Sequence, residues 1–212
     1  MNARLVEPVD AASLAAYRIA FGLLMSVSAV RFIALGWVDR CYVQPRFFFS
    51  YWGFSFVEVL PREQMIAAYV ALAVLGLFIA LGLFYRLSTA LFFVVFTYVE
   101  LIDVTNYLNH YYLVSLLALL LCFVPAHSAF SLDARLGLVK GRGTIPAWGL
   151  YLLRFQVGLV YVFAALAKVE TDWLVHAEPL HIWMSSRTDT PLIGPWLDRF
   201  DVALTMLSLI HI

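Results

Sequence analysis

Three residues have side chains and positions suited to proton chemistry: Asn109, His110 and Lys168. Asn109 and His110 are adjacent in residues 105–113 (TNYLNHYYL), and Lys168 lies in residues 163–173 (FAALAKVETDW). Each stretch sits where a hydrophobic run meets a polar loop. A lysine in water is an ammonium with a pKa of about 10.4, and burial disfavours that charge. A lysine driven to the neutral amine is a base. Lys168 ends an apolar run, as that chemistry requires. The plainer reading is a lysine that snorkels to the headgroups, with Glu170 and Asp172 nearby favouring its charge. Asn109 alone would serve an interhelical hydrogen bond, and His110 alone an interfacial one. Their adjacency, with Asp103, Asn106 and Tyr107 close by, points to a shared polar site at a helix mouth.

The rest of the chain is apolar scaffold. Of 212 residues, 63% are hydrophobic and 13% charged, and the mean hydropathy is +0.87. Soluble domains are about 45–50% apolar, so the composition reads as an integral membrane protein. Net charge is zero and no basic cluster appears, which argues against a nucleic-acid partner. Cys41 and Cys122 make no disulfide framework. No zinc spacing, phosphate-binding loop or internal repeat is present, and no metal site is expected.

The apolar runs predict an all-α, polytopic fold of about five complete transmembrane helices and a sixth cut short. The first covers residues 13–35, with Ser13 as a cap and Arg18 and Arg31 placed to snorkel. Residues 36–64 form a connection rich in aromatics, read as an interfacial belt or, less simply, as one wall of a ligand pocket. The second helix covers 65–84, with Gly76 and Ala80 as a small-residue contact. A tight polar turn at 85–88 holds Arg86. The third helix covers 89–102 and ends near Glu100 and Asp103. The fourth covers 108–124 and stops at Pro125. A polar loop at 126–147 follows, and Pro146 suits the start of a fifth helix at 148–167. The run at 201–212 is too short to span a bilayer, which needs about twenty residues. It is expected to be a truncated sixth helix, making 1–212 a single transmembrane domain from the N-terminal part of a longer protein.

Helices alternate direction across a bilayer. The fourth helix therefore starts, at Asn109 and His110, on the face where the fifth ends at Lys168. Antiparallel neighbours at about 8–10 Å would bring the three into one cavity, with Tyr107, Asp103 and Trp173 near its rim. Arg154 and Gln156 lie inside the fifth helix, two residues apart and pointing differently. They are read as structural, with Asp133 as a partner for Arg154. His127, past Pro125, is read as a loop anchor. Short basic loops on the opposite face put the N-terminus in the cytoplasm.

Several motifs occur in one order: D-x-T-x-x-x-N-H-x-Y-L at 103–113, H-S-A-F-S-L-D at 127–133, and L-R-x-Q-x-x-x-V-Y-x-x-A-x-x-A-K-x-x-x-D-W at 153–173. Tyr85-Arg86-Leu87-Ser88 and Tyr17-Arg18-Ile19-Ala20-Phe21-Gly22 accompany them. This succession resembles the vitamin K-dependent γ-carboxylase family and its horizontally transferred transmembrane (HTTM) domain, shared with bacterial homologues. The resemblance implies that Lys168 is the base for vitamin K hydroquinone, assisted by His110 and Asn109. Oxygen is then consumed, a substrate glutamate in a peptide or protein gains carbon dioxide at its γ carbon, and the quinol leaves as its epoxide. It implies a carboxy-lyase in a bacterial inner membrane, supplied with a lipid-soluble quinol from the bilayer. The animal enzymes carry a second lysine where this chain has Ala167. They also continue into a large extramembrane domain. A quinol oxidoreductase without carboxylation, and a non-catalytic membrane module or inactive fragment, are the alternatives.

Overall fold

A computed structural model describes residues 3–174 together with Glu178 and Ile182. The chain divides into two units, Met1–Leu153 and Arg154–Ile212, with the boundary inside a helix. The first unit begins with α1 (Ala3–Val6), β1 (Pro8–Asp10) and α2 (Ala12–Ala34). A π-helical turn, Asp39–Val43, precedes α3 (Arg62–Leu81) and α4 (Tyr85–Leu101). A 3-10 turn, Val104–Asn106, leads into α5 (Asn109–Phe123), then α6 (Leu132–Arg135), β2 (Thr144–Pro146) and the opening turns of α7 (Trp148–Leu166). The second unit holds the remainder of α7 and the short α8 (Thr171–Leu174).

Helices therefore occupy all five expected places. Three of them, α2, α3 and α7, are long and apolar enough to cross a membrane. At about 1.5 Å per residue, their 23, 20 and 19 residues match a hydrocarbon core of about 30 Å. The other two, α4 and α5, are shorter, with 17 and 15 residues. The run at 201–212 lies outside the described residues. Outward faces of the long helices carry exposed apolar side chains such as Leu24, Val27, Val70 and Val74. That pattern suits lipid and not water. The chain is a helical integral membrane protein.

The first four long helices pack in sequence order, α2 on α3, α3 on α4 and α4 on α5. The closest approach is α2 on α3. A Cβ at Gly22 would stand 2.5 Å from Ala80 N and Gly76 O, and one at Gly76 would stand 2.9 Å from Gly22 O. The small residues at 76 and 80 thus let two backbones touch, as their spacing predicts. Phe21, Phe92 and Phe96 fill the space beyond, with centroids 5.9 and 5.6 Å apart.

One end of this unit is fixed by polar contacts made by the recurring motifs. Arg18 is fully buried. Its Nη1 donates to the Ile79 carbonyl at 3.0 Å and its Nη2 to the Phe130 carbonyl at 2.7 Å. It does not snorkel, because these two carbonyls, at the end of α3 and in the loop before α6, hold its terminal nitrogens in place, while its Nε stays buried without a partner. Asp133 accepts from Phe84 N at 2.7 Å and Tyr85 N at 2.9 Å, capping the start of α4. Both of its oxygens are thereby engaged within the first unit. Tyr85 donates its hydroxyl to Leu121 O at 2.7 Å, and Arg86 donates to Cys122 O. Residues 85–88 are therefore the first turn of α4, and the tight turn falls earlier, at Gly82–Phe84, where both end residues adopt left-handed conformations. His127 is a loop anchor in a specific sense: its ring stacks on Tyr85 at 4.9 Å.

The N-terminal segment belongs to the same end. A three-residue antiparallel ribbon pairs Pro8 with Pro146, Val9 with Ile145 and Asp10 with Thr144. Asp10 Oδ1 accepts from Ala12 N at 2.7 Å, so Asp10 caps α2. Ser13, expected in that role, is already inside the helix and donates to Asp10 O at 3.1 Å.

Candidate functional site

The opposite end of the first unit carries a cavity of about 170 Å³. It forms because the aromatic connection folds back over the bundle. Phe49 N donates to Asp103 Oδ1 at 3.3 Å and Val104 N to Phe49 O at 2.8 Å. Tyr98 donates to Glu58 O at 2.5 Å, and Arg62 pairs with Asp39 at 2.5 Å. That guanidinium holds the Asp39 carboxyl below its ordinary range. Among the described residues this is the one ion pair.

Both readings of the connection hold, for different residues. Trp52, Phe47 and Phe56 are exposed, Trp52 at 98%, as an interfacial belt requires. Trp37, Cys41 and Tyr42 instead line the cavity. Phe32 stacks on Tyr69 at 4.4 Å and meets Trp37 edge-on at 5.4 Å. Tyr69 donates to the Tyr42 hydroxyl at 3.3 Å. Burial pushes the Cys41 thiol and the Tyr42 hydroxyl above their ordinary values, so both stay protonated at neutral pH.

Glu100 faces this aromatic lining. It makes no hydrogen bond or ion pair among the described residues. A carboxyl left without a partner in an apolar cavity is costly and marks a functional candidate. Residue spacing does not reveal it, since the wall comes from α2, α3, α4, α5 and the 36–61 connection. The available signal was an acid in the last turn of an apolar helix.

The expected site residues divide as follows. Asn109 and His110 open α5 at this same end, and both are exposed. They flank the cavity without lining it; their neighbours Asn106, Leu108 and Tyr111 do. His110 packs edge-on to Tyr111 at 4.6 Å. Tyr107 is exposed and closes the 3-10 turn, with its N–H on Val104 O at 3.0 Å. Asp103 is buried, and its Oδ1 also accepts from Thr105 N at 3.0 Å. It therefore holds the turn that presents Tyr107, Asn109 and His110.

In the second unit, Lys168 follows the end of α7, its N–H bonded to Ala165 O at 3.0 Å. Its Nζ stands 5.2 Å from the centre of the Trp173 ring, a cation–π distance. Arg154 is exposed and Gln156 half-buried on α7.

No solved structure matches this chain. A family model described as the HTTM domain matches residues 6–211, nearly the whole sequence. The motif residues Arg18, Tyr85, Arg86, His127 and Asp133 account for one end of the fold, and Asn109, His110 and Asp103 for the other. The chain belongs to the HTTM domain family, which is associated with the vitamin K-dependent carboxylases.

Proposed function

We propose that this protein is a membrane enzyme of the quinol-dependent γ-glutamyl carboxylase type, using a reduced naphthoquinone of the vitamin K class. The observation that carries the reading is the aromatic cavity holding Glu100, beside Asn109 and His110, in an HTTM chain. An apolar cavity of about 150 Å³ accepts a benzene ring, so about 170 Å³ of aromatic-lined space suits a planar aromatic head group. Flat rings stack on Phe and Trp faces, and the Glu100 carboxyl and the Tyr42–Tyr69 hydroxyl pair offer hydrogen bonds to ring oxygens.

In this reading Lys168 is the base that takes a proton from a quinol hydroxyl. His110 and Asn109 hydrogen-bond the same oxygen and hold it toward the base. Tyr107 and Trp173 bound the site, and Asp103 positions its loop. Arg154 and Gln156 serve the helix and not the chemistry. The bound quinol supplies the reducing equivalents and, with oxygen, the strong base that a glutamate γ proton requires. Carbon dioxide adds at that carbon of a peptide or protein substrate. The protein acts in a bacterial plasma membrane, with its N-terminus in the cytoplasm.

The test is turnover by purified protein in detergent, given reduced vitamin K, oxygen, bicarbonate and a glutamate peptide. The reading expects quinone epoxide and carboxylated peptide in equal amounts. Epoxide without carboxylated peptide makes the protein a quinol oxidoreductase. Neither product overturns the enzyme reading and leaves a non-catalytic membrane module.

A further inference from the structure

The motif-fixed end of the first unit carries a second cleft, of about 340 Å³, which quinol chemistry does not use. Its lining includes Arg86, His127, Lys140 and Arg142, and no aspartate or glutamate. Asp133, the acid that acts on His127, has both oxygens taken by the N–H groups of Phe84 and Tyr85. Three full positive charges therefore converge with no carboxylate among them.

Their placement is built and not accidental. Arg86 is held by its bond to Cys122 O at the end of α5. Arg142 N donates to Ser128 O at 3.0 Å, drawing the 140–142 segment against the loop after Pro125. His127 is fixed by its stack on Tyr85, and its Nδ1 is buried with no hydrogen-bond partner. Such an atom costs free energy unless something bonds it. The other wall is apolar: Phe123, the last residue of α5, and Trp148, the first of α7, both line the cleft. Phe123 is exposed. The cleft thus sits at helix ends, where tryptophan meets the headgroup layer.

We propose that this cleft binds the phosphate group of an anionic phospholipid. Guanidinium groups bind phosphate oxygens in pairs, and the Lys140 ammonium adds a point charge. Phe123 and Trp148 give the first acyl carbons an apolar surface, which a free phosphate would leave unused. Basic pockets at the ends of membrane helices have this ligand chemistry. The site is independent of the quinol cavity, so it stands or falls separately from the proposed enzyme activity.

The experiment is thermal unfolding of the purified full chain in neutral detergent, titrated with phosphatidylglycerol, phosphatidylcholine or inorganic phosphate. The expected result is a dose-dependent rise in Tm with phosphatidylglycerol alone. Lys140→Gln/Arg142→Gln should weaken the apparent affinity at least tenfold while keeping the lipid-free Tm, since both side chains are exposed. Should that pair fail to fold, the wild-type shift read against salt is the second measurement, and it should fade between 50 and 500 mM, roughly, as screening lengths shorten. Equal shifts with phosphatidylcholine, a salt-independent shift, or full binding by the double variant overturn the proposal. Inorganic phosphate acting as well as the lipid overturns the lipid assignment.

Discussion

Replacing Gly82 by alanine is expected to loosen the motif-fixed end of the fold, by an amount that can be worked out. Gly82 closes α3 with φ +64°, and its N–H bonds to Ile79 O at 3.1 Å. A side chain in the left-handed region costs about 1–2 kcal/mol. The added Cβ would also overlap Arg18 Nη1 and stand 2.5 Å from Ser131 Cβ. Arg18 cannot yield without losing its bond to Ile79 O, because it is fully buried. A hydrogen bond to a charged group contributes about 1.5–3 kcal/mol. The sum is about 2.5–5 kcal/mol. Gly36 is the control: its φ is +67°, and a Cβ there meets nothing within 4 Å. Gly36→Ala should therefore cost only about 1–2 kcal/mol. For a chain of this size each kcal/mol shifts Tm by about 2–4 °C, so the two variants should differ by about 3–12 °C in detergent. Equal Tm values for Gly82→Ala and Gly36→Ala would refute the claim that Arg18 is locked against this turn.

Three further outcomes are expected. Tyr85→Phe leaves the Leu121 carbonyl without its donor and should cost about 1–3 kcal/mol, read as a lower Tm. His127 is held below its ordinary pKa of about 6.5 by burial and by Arg86 and Arg18, against the opposing Asp133. The unfolded chain then binds that proton more readily, so Tm should hold above about pH 6.5 and fall as the pH drops below it. His127→Phe, which keeps the stack on Tyr85, should flatten that part of the profile, and an unchanged profile would remove His127 as its cause. Glu100→Leu should raise the KM for reduced vitamin K about tenfold or more, the size of one hydrogen bond to a charged or ring oxygen, with the Tm kept or raised, since the unpartnered carboxyl is removed from the cavity.

The helices were legible because the hydrocarbon requirement writes itself into the sequence as long apolar runs. Their ends shifted by at most four residues, and the reasons are local. Asp10 caps α2 ahead of Ser13, and Asp133, 48 residues away, caps α4 and draws Tyr85–Ser88 into the helix. The long-range cap from Asp133 leaves no mark in local spacing. Arg18 misled for the same reason. An arginine one turn inside an apolar run looks like a snorkelling residue, whereas two distant carbonyls bury it. At the site, Asn109 and His110 stood out as polar residues at a helix mouth. Glu100, Tyr42 and Tyr69 did not, since a cavity wall drawn from four helices and a connection has no sequence period.

The central claim is that Lys168 is the base. Epoxide formation from reduced vitamin K, compared between wild type and Lys168→Arg, tests it most directly. Arginine can also lie over the Trp173 ring but does not deprotonate in this range. The account predicts that Lys168→Arg folds with a wild-type Tm and forms no epoxide, and that small primary amines partly restore Lys168→Ala. Epoxide formation at the wild-type rate by Lys168→Arg would contradict it.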